Sequence, residues 1–197
     1  MDIIVSNVGK GIFTIGDVAL YTGTPVPTLR NWFAGQNPLF MPEIEKSDRC
    51  FAVSFHNLVE VLVARALREG GASTQQIRRA VVSLRRELDT PVPSCHREIR
   101  TDGKSLFIRI ARQNGDDELY NLFTRQTHFP KIMLQYLRGV AYDSTNLAAR
   151  WDIVPGIAID PAICFGHPVI AGTRIRVDTL YNAWKAENRK GLSVSRL

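Results

Sequence analysis

Phe13-Thr14-Ile15-Gly16-Asp17-Val18-Ala19-Leu20-Tyr21-Thr22-Gly23-Thr24-Pro25-Val26-Pro27-Thr28-Leu29-Arg30-Asn31-Trp32-Phe33 reads as two short helices joined by a tight glycine turn. Thr14 is placed to cap the first, because its hydroxyl accepts from an orphan amide of the first turn. Ile15, Val18 and Ala19 then recur at helical spacing. Gly23 supplies a left-handed stop. Thr24 is expected to cap the second helix, with Pro25 at its first position, where a missing N–H costs nothing. Val26, Leu29 and Phe33 mark its apolar stripe, which leaves Pro27, Thr28, Arg30, Asn31 and Trp32 outward. A helix-turn-helix is the expectation, its second helix entering a major groove. Arg30 suits a phosphate or a guanine edge, and Thr28 and Asn31 are short enough to reach bases. A plain helical hairpin with solvated polar tips has the same spacing.

Working outward, residues 36–52 are rich in turn formers, and a two-stranded wing fits their length, with Lys46 and Arg49 near its tip for phosphate contact. A loop with a solvated charge pair fits equally. The DNA-facing set is therefore Thr14, Thr24, Thr28, Arg30, Asn31, Trp32, Lys46 and Arg49. Ser54 caps the next helix, whose inner face is Phe55, Leu58, Val59, Leu62 and Ala66. Val61 and Val63 fall off that face and are free for a dimer contact. Ser73 and Gln76 form a capping box ahead of Ile77, Ala80, Val81, Leu84 and Leu88. Arg78, Arg79, Arg85 and Arg86 flank this second stripe, as a solvated face, a phosphate track or a partner surface.

Thr90-Pro91-Val92-Pro93 ends the helical region. Residues 97–110 then read as a β-hairpin: Asp102-Gly103 is a type I′ turn signal and Leu106, Ile108 and Ile110 alternate with Phe107 and Arg109. Residues 119–123 fit a short strand or helix, residues 129–137 a helix, and residues 140–154 a pair of strands. No sustained heptad follows Leu88, so no dimerising coiled coil is expected.

Near the C-terminus, Gly166-His167-Pro168-Val169-Ile170-Ala171-Gly172-Thr173-Arg174-Ile175 combines two glycines, a stiffening proline and an apolar Val-Ile pair. Gly166 and Gly172 permit backbone geometry denied to other residues. Pro168 and Ile170 shape and bury the turn, and Thr173 and Arg174 are left to hydrogen-bond or to face a partner. A helix resumes at Val177.

The 197 residues carry a net charge of +6, and 45% are hydrophobic. That balance favours an acidic partner, nucleic acid or protein, and allows a real core. Three widely spaced cysteines make no disulfide framework, which points to a reducing cytoplasm. No apolar run approaches membrane-spanning length. Cys95-His96 and the pair Cys164 and His167 are half ligand sets, so neither metal nor cofactor is expected. No P-loop, nucleophile elbow or carboxylate cluster is present, so the chain is not expected to be an enzyme.

Residues 13–19, 28–30 and 71–78 resemble the MerR-type winged helix-turn-helix, though Asn31, Trp32 and Phe33 replace the aromatic and acidic residues usual after the Leu-Arg pair. Residues 54–60, 66–68, 76–80, 101–107 and 159–175 together resemble a subgroup of VapB-type antitoxins that joins such a domain to the glycine-proline module. The resemblance implies an α+β fold: a MerR-like winged helix-turn-helix over residues 1–90, a strand-rich connecting region over 91–154, and a small α/β antitoxin module over 155–197. Related modules continue into further short helices, so the module is expected to be incomplete at Leu197, and Arg176 stands where proline is common. The resemblance implies a type II antitoxin that neutralises a VapC-type PIN-domain ribonuclease and represses its own operator, with a homodimer expected from operator symmetry. PIN-domain sites are carboxylate clusters, so Arg174, Arg176, Arg189 and Arg196 are the candidate blocking cations. The alternative is a one-component MerR-like regulator whose middle region answers to a small ligand.

Overall fold

The computed structural model describes residues 9–44, 51–125 and 128–194. Among them lie eight α-helices and a four-stranded antiparallel sheet, an α+β arrangement. The helices are α1 (Ile15–Thr22), α2 (Val26–Ala34), α3 (Phe55–Glu69), α4 (Thr74–Glu87), α5 (Arg97–Gln113), α6 (Asp117–Arg125), α7 (Phe129–Tyr136) and α8 (Val177–Val194). The strands β1 (Val140–Tyr142), β2 (Ala148–Val154), β3 (Ile157–Ile159) and β4 (Val169–Ile170) form a meander in chain order. No helix of the described residues is long and apolar enough to cross a membrane.

Local signals built the N-terminal helices as expected. Thr14 and Asp17 form a reciprocal capping box on α1, and Gly23 ends it at φ +64°. Ser54 caps α3, and Ser73 with Gln76 boxes α4. One cap differs. Pro25 stands at the N-cap of α2, which has no side-chain cap. Thr24 is buried, its hydroxyl 2.9 Å from that of Thr22, which in turn donates to the Val18 carbonyl at 2.6 Å.

The core is one continuous cluster running from Phe13 to Ile159, and α3 is its axis. Phe55, Leu58, Val59, Leu62 and Ala66 are buried there, and so are Val61 and Val63. The last two are therefore not dimer contacts. α1 and α4 pack on α3 from one region and α7 from another, which leaves no solvent face over most of its length.

The middle of the chain is helical, which corrects the strand-rich expectation for it. Residues 97–110 belong to α5, and residues 119–123 to α6. Ile99, Leu106, Phe107, Ile110 and Ala111 are buried along one side of α5, a spacing of seven, eight, eleven and twelve from Ile99 that only a helix brings together. Phe107 stacks on Phe123 of α6 at 4.7 Å between ring centroids. Asp102 takes φ −142°, ψ 28°, so the Asp-Gly pair bends a helix instead of reversing a strand. The strand pair expected over residues 140–154 is present as β1 and β2, with Val140 opposite Trp151.

Candidate functional site

Two surfaces carry the candidate functional residues. The first is built by α1 and α2. Val18, Leu29, Trp32 and Phe33 are buried beneath them. Trp32 meets Phe40 edge-on at 5.9 Å, so the sequence reading that faced Trp32 outward is corrected: the indole anchors α2 to the loop that follows. Arg30 and Asn31 are exposed and Thr28 is half-buried. Among the described residues the Arg30 guanidinium makes no hydrogen bond or ion pair. It lines a shallow cleft of about 390 Å³ with Thr14, Gly16, Phe33 and Phe51. Lys46 and Arg49 lie outside the described residues.

The arginine run on α4 is mostly committed elsewhere. Arg78 donates to the Asn37 carbonyl at 2.5 Å, Arg79 pairs with Asp116 at 2.8 Å and Glu118 at 2.7 Å, and Arg85 donates to the Pro91 carbonyl at 3.3 Å. These side chains tie α4 to its neighbours and leave Arg86 as the exposed member.

The second surface is the glycine-proline module. Cys164, Phe165 and Gly166 are consecutive left-handed residues at φ +48°, +56° and +83°. The Phe165 carbonyl accepts from the Ile12 amide at 2.8 Å, so the module is stitched to the segment leading into α1. A Cβ on Gly166 would stand 2.6 Å from Phe13 Cζ and 3.2 Å from Gly11 Cα. Gly166 thus serves two needs, its own conformation and a close approach. Gly166→Ala is expected to cost about 2 kcal/mol, as for other strained substitutions, measured as a lowered denaturation midpoint; an unchanged midpoint would show that this contact is not formed.

Beyond Gly166, Pro168 presents its carbonyl to the Val177 amide at 3.0 Å, and Thr173 Oγ1 donates to the Ile170 carbonyl at 2.9 Å. Gly172 turns the loop at φ +79°. Arg174 is exposed, and its guanidinium has no partner among the described residues. Arg176 differs: it is bound to Asp178, with Nε 3.0 Å from Oδ1. Both members of this pair are partly exposed, so the Arg176 guanidinium is engaged by a surface ion pair within the chain. The pair also holds the Asp178 carboxyl below its usual range. Arg189 lies in α8, and Arg196 lies outside the described residues. A cavity of about 420 Å³ separates the module from α1, between Tyr21 and Asp17 on one side and His167, Arg176 and Tyr181 on the other.

α8 follows directly and is exposed at every position from 178 to 188. Leu180, Tyr181 and Trp184 are 52%, 55% and 59% exposed. With Val177 they fall at i, i+3, i+4 and i+7, one stripe of a helix. Tyr181 and Trp184 stack at 6.0 Å, and Lys185 Nζ stands 5.8 Å from the Tyr181 ring. The sequence shows the periodicity of Leu180 and Trp184, but only the structure shows that no described residue covers it.

Residues 157–190, which span β3, β4, the turn motif and most of α8, match the model of a protein family of unknown function (DUF433). No functionally curated protein matches the chain. In fold the chain is similar to Rv2018 of Mycobacterium tuberculosis, known from an X-ray crystal structure. The TM-score is 0.74 with 23% sequence identity, over 91% of this chain and 89% of that one. At that identity the likeness is one of fold.

Sequence reasoning missed a largely buried polar cluster around the start of α3. Glu43 accepts from Ser54 Oγ at 2.5 Å and lies 3.2 Å from His56 Nδ1, whose other ring nitrogen is 3.1 Å from the Ala148 carbonyl. Asn57 donates to the Met41 carbonyl at 3.0 Å and to Glu60 Oε2 at 2.9 Å. Desolvation opposes the charge on both Glu43 and His56, yet their mutual hydrogen bond prevails, lowering the Glu43 carboxyl and raising the His56 imidazole. Burial pushes the Glu60 carboxyl up to about 8 and the Cys95 thiol well above its ordinary range. No group of three or more ligand side chains suited to a metal occurs among the described residues.

Proposed function

We propose that this chain is the antitoxin of a type II toxin–antitoxin pair. It binds operator DNA through α2 as a homodimeric autorepressor, and it holds and silences a VapC-type PIN-domain ribonuclease with the C-terminal module, all in the cytoplasm. No catalysis is assigned to it. The observation that carries the reading is the apolar stripe of α8, which leaves the turn motif beside Arg174 and, like the Arg174 guanidinium, has no partner among the described residues. A stripe of this kind marks a partner surface on an otherwise polar helix. At the other end, a MerR-like helix-turn-helix reading is supported by the exposure of Arg30 and Asn31, beside half-buried Thr28, on a helix whose Leu29, Trp32 and Phe33 are buried.

For the nuclease, Arg174 is the blocking cation best placed to meet a carboxylate cluster, since a guanidinium matches carboxylates in bidentate fashion. Co-expression with the product of the adjacent reading frame, followed by co-purification and a ribonuclease assay, tests the pairing. A stable complex with suppressed cleavage is expected; separate elution with undiminished cleavage would end the reading. For DNA, Arg30→Ala is expected to weaken binding to the upstream operator fragment about tenfold and to make its salt dependence less steep. Gel-shift titrations at several salt concentrations measure both, and an unchanged affinity and slope would remove α2 from the interface.

A further inference from the structure

α5 bends at Asp102, and the bend opens a cavity of about 590 Å³ against α7 and β1. That volume lies in the range of small-molecule sites. Three cations line it: Arg97 and Arg100, one turn apart ahead of the bend, and Lys104 just beyond it. Their wall is completed by Met133 and Leu134 of α7 and Tyr142 of β1. Asp102 is the one carboxylate of the lining, so positive charge is in excess.

Two of these groups are uncommitted. Among the described residues the Arg97 side chain makes no hydrogen bond or ion pair, and neither does the Tyr142 hydroxyl. Arg100 spends one N–H on the Val140 carbonyl at 2.8 Å, and a guanidinium has five to give. Leu134 is 49% exposed at the rim. The cavity thus joins spare donors of one sign to an apolar and aromatic wall. Bulk solvent satisfies neither demand well: an unpaired arginine invites an oxyanion, and an exposed leucine beside a half-buried tyrosine invites an apolar body.

We propose that this cavity binds a small amphipathic anion, an oxyanion headgroup carried on an aromatic or aliphatic body. The headgroup meets Arg97 and Arg100 with Lys104 beside them, and the body lies on Leu134, Met133 and the Tyr142 ring. This site is separate from the α2 and α8 surfaces and goes beyond the antitoxin reading. Because α5 and α7 both pack within the central cluster, an occupant would brace the bend of α5 against α7.

Calorimetric titration of the full chain with phenyl phosphate, alongside inorganic phosphate, tests the site. Phenyl phosphate is expected to bind with a Kd on the order of 1 mM or tighter, and inorganic phosphate about tenfold more weakly. Arg97→Gln and Leu134→Asp are each expected to weaken phenyl phosphate about tenfold, with an unchanged unfolding midpoint, because both side chains are solvent-exposed. Absence of phenyl phosphate binding, equal binding of the two probes, or parental affinity in both variants would overturn the proposal.

Discussion

Glu60→Gln is expected to make the protein more stable at alkaline pH and to flatten its pH–stability profile. Glu60 sits on α3 at 1% exposure. Its Oε2 accepts from Asn57, while Oε1 has no hydrogen-bond partner among the described residues. Desolvation dominates and raises the carboxyl from its ordinary 4.5 to about 8; the Asn57 hydrogen bond and the Arg85 charge pull the other way, and Glu43 adds to the rise. The native chain therefore holds Glu60 neutral over a range in which the unfolded chain has ionised. The unfolded state binds fewer protons there, so stability falls as pH rises from about 4.5 to about 8 and levels off above. The loss is on the order of 5 kcal/mol, at 1.36 kcal/mol per unit.

His56 slopes the same way, since its raised imidazole stabilises the fold below its ordinary 6.5 and loses that contribution as pH rises. Glu43 acts only in acid, where its lowered carboxyl loses its contribution as pH falls. Denaturant unfolding at about pH 5 and about pH 8 separates these terms. The parent should weaken markedly between the two, and Glu60→Gln should retain only the smaller His56 slope. A parent with no loss over that interval would mean that Glu60 is ionised and otherwise paired.

The elements that sequence reading placed correctly are those fixed by local chemistry. Thr14 with Asp17, Ser54, and Ser73 with Gln76 each satisfy amides within one turn of their own helix, and Gly23 needs only its own backbone freedom. Such signals survive any tertiary context. The bend of α5 did not. Asp102-Gly103 beside alternating Leu106, Ile108 and Ile110 matches a hairpin over ten residues. The decision came from Phe123 and from the Ile99–Phe107 side, which lie beyond a ten-residue window. Trp32 and Thr24 were misplaced for a related reason. Whether an indole or a short hydroxyl faces inward depends on Phe40 and Thr22, which the helix's own period does not reveal. The commitment of Arg176 to Asp178 was in principle visible at two-residue spacing, whereas the polar cluster was not. Glu43 and Cys95 come from segments distant in sequence from α3, and His56 and Glu60 look like polar positions of that helix until it is covered.

Substituting the stripe of α8 is the decisive test of the partner surface. Leu180→Asp combined with Trp184→Ala should lower inhibition of the cognate nuclease at least about a hundredfold, the loss typical of removing two anchors from an interface centre. Trp and Leu are about half or more exposed here, so a partner that covers them removes substantial apolar area from water, worth roughly 25 cal/mol per Å² before the costs of association. An added Asp would be buried without a counter-charge against that partner, which is worse than deletion alone. The same two changes should leave the unfolding midpoint and operator affinity unmoved, because neither Leu180 nor Trp184 belongs to the core cluster. Arg174→Ala divides the mechanism further. If Arg174 plugs a carboxylate site, its loss should restore cleavage while the complex still co-purifies; if α8 merely covers the nuclease, Arg174→Ala should inhibit as well as the parent. Parental inhibition by the Leu180→Asp, Trp184→Ala protein would exclude α8 as the grip, whatever the charge of Arg174 does.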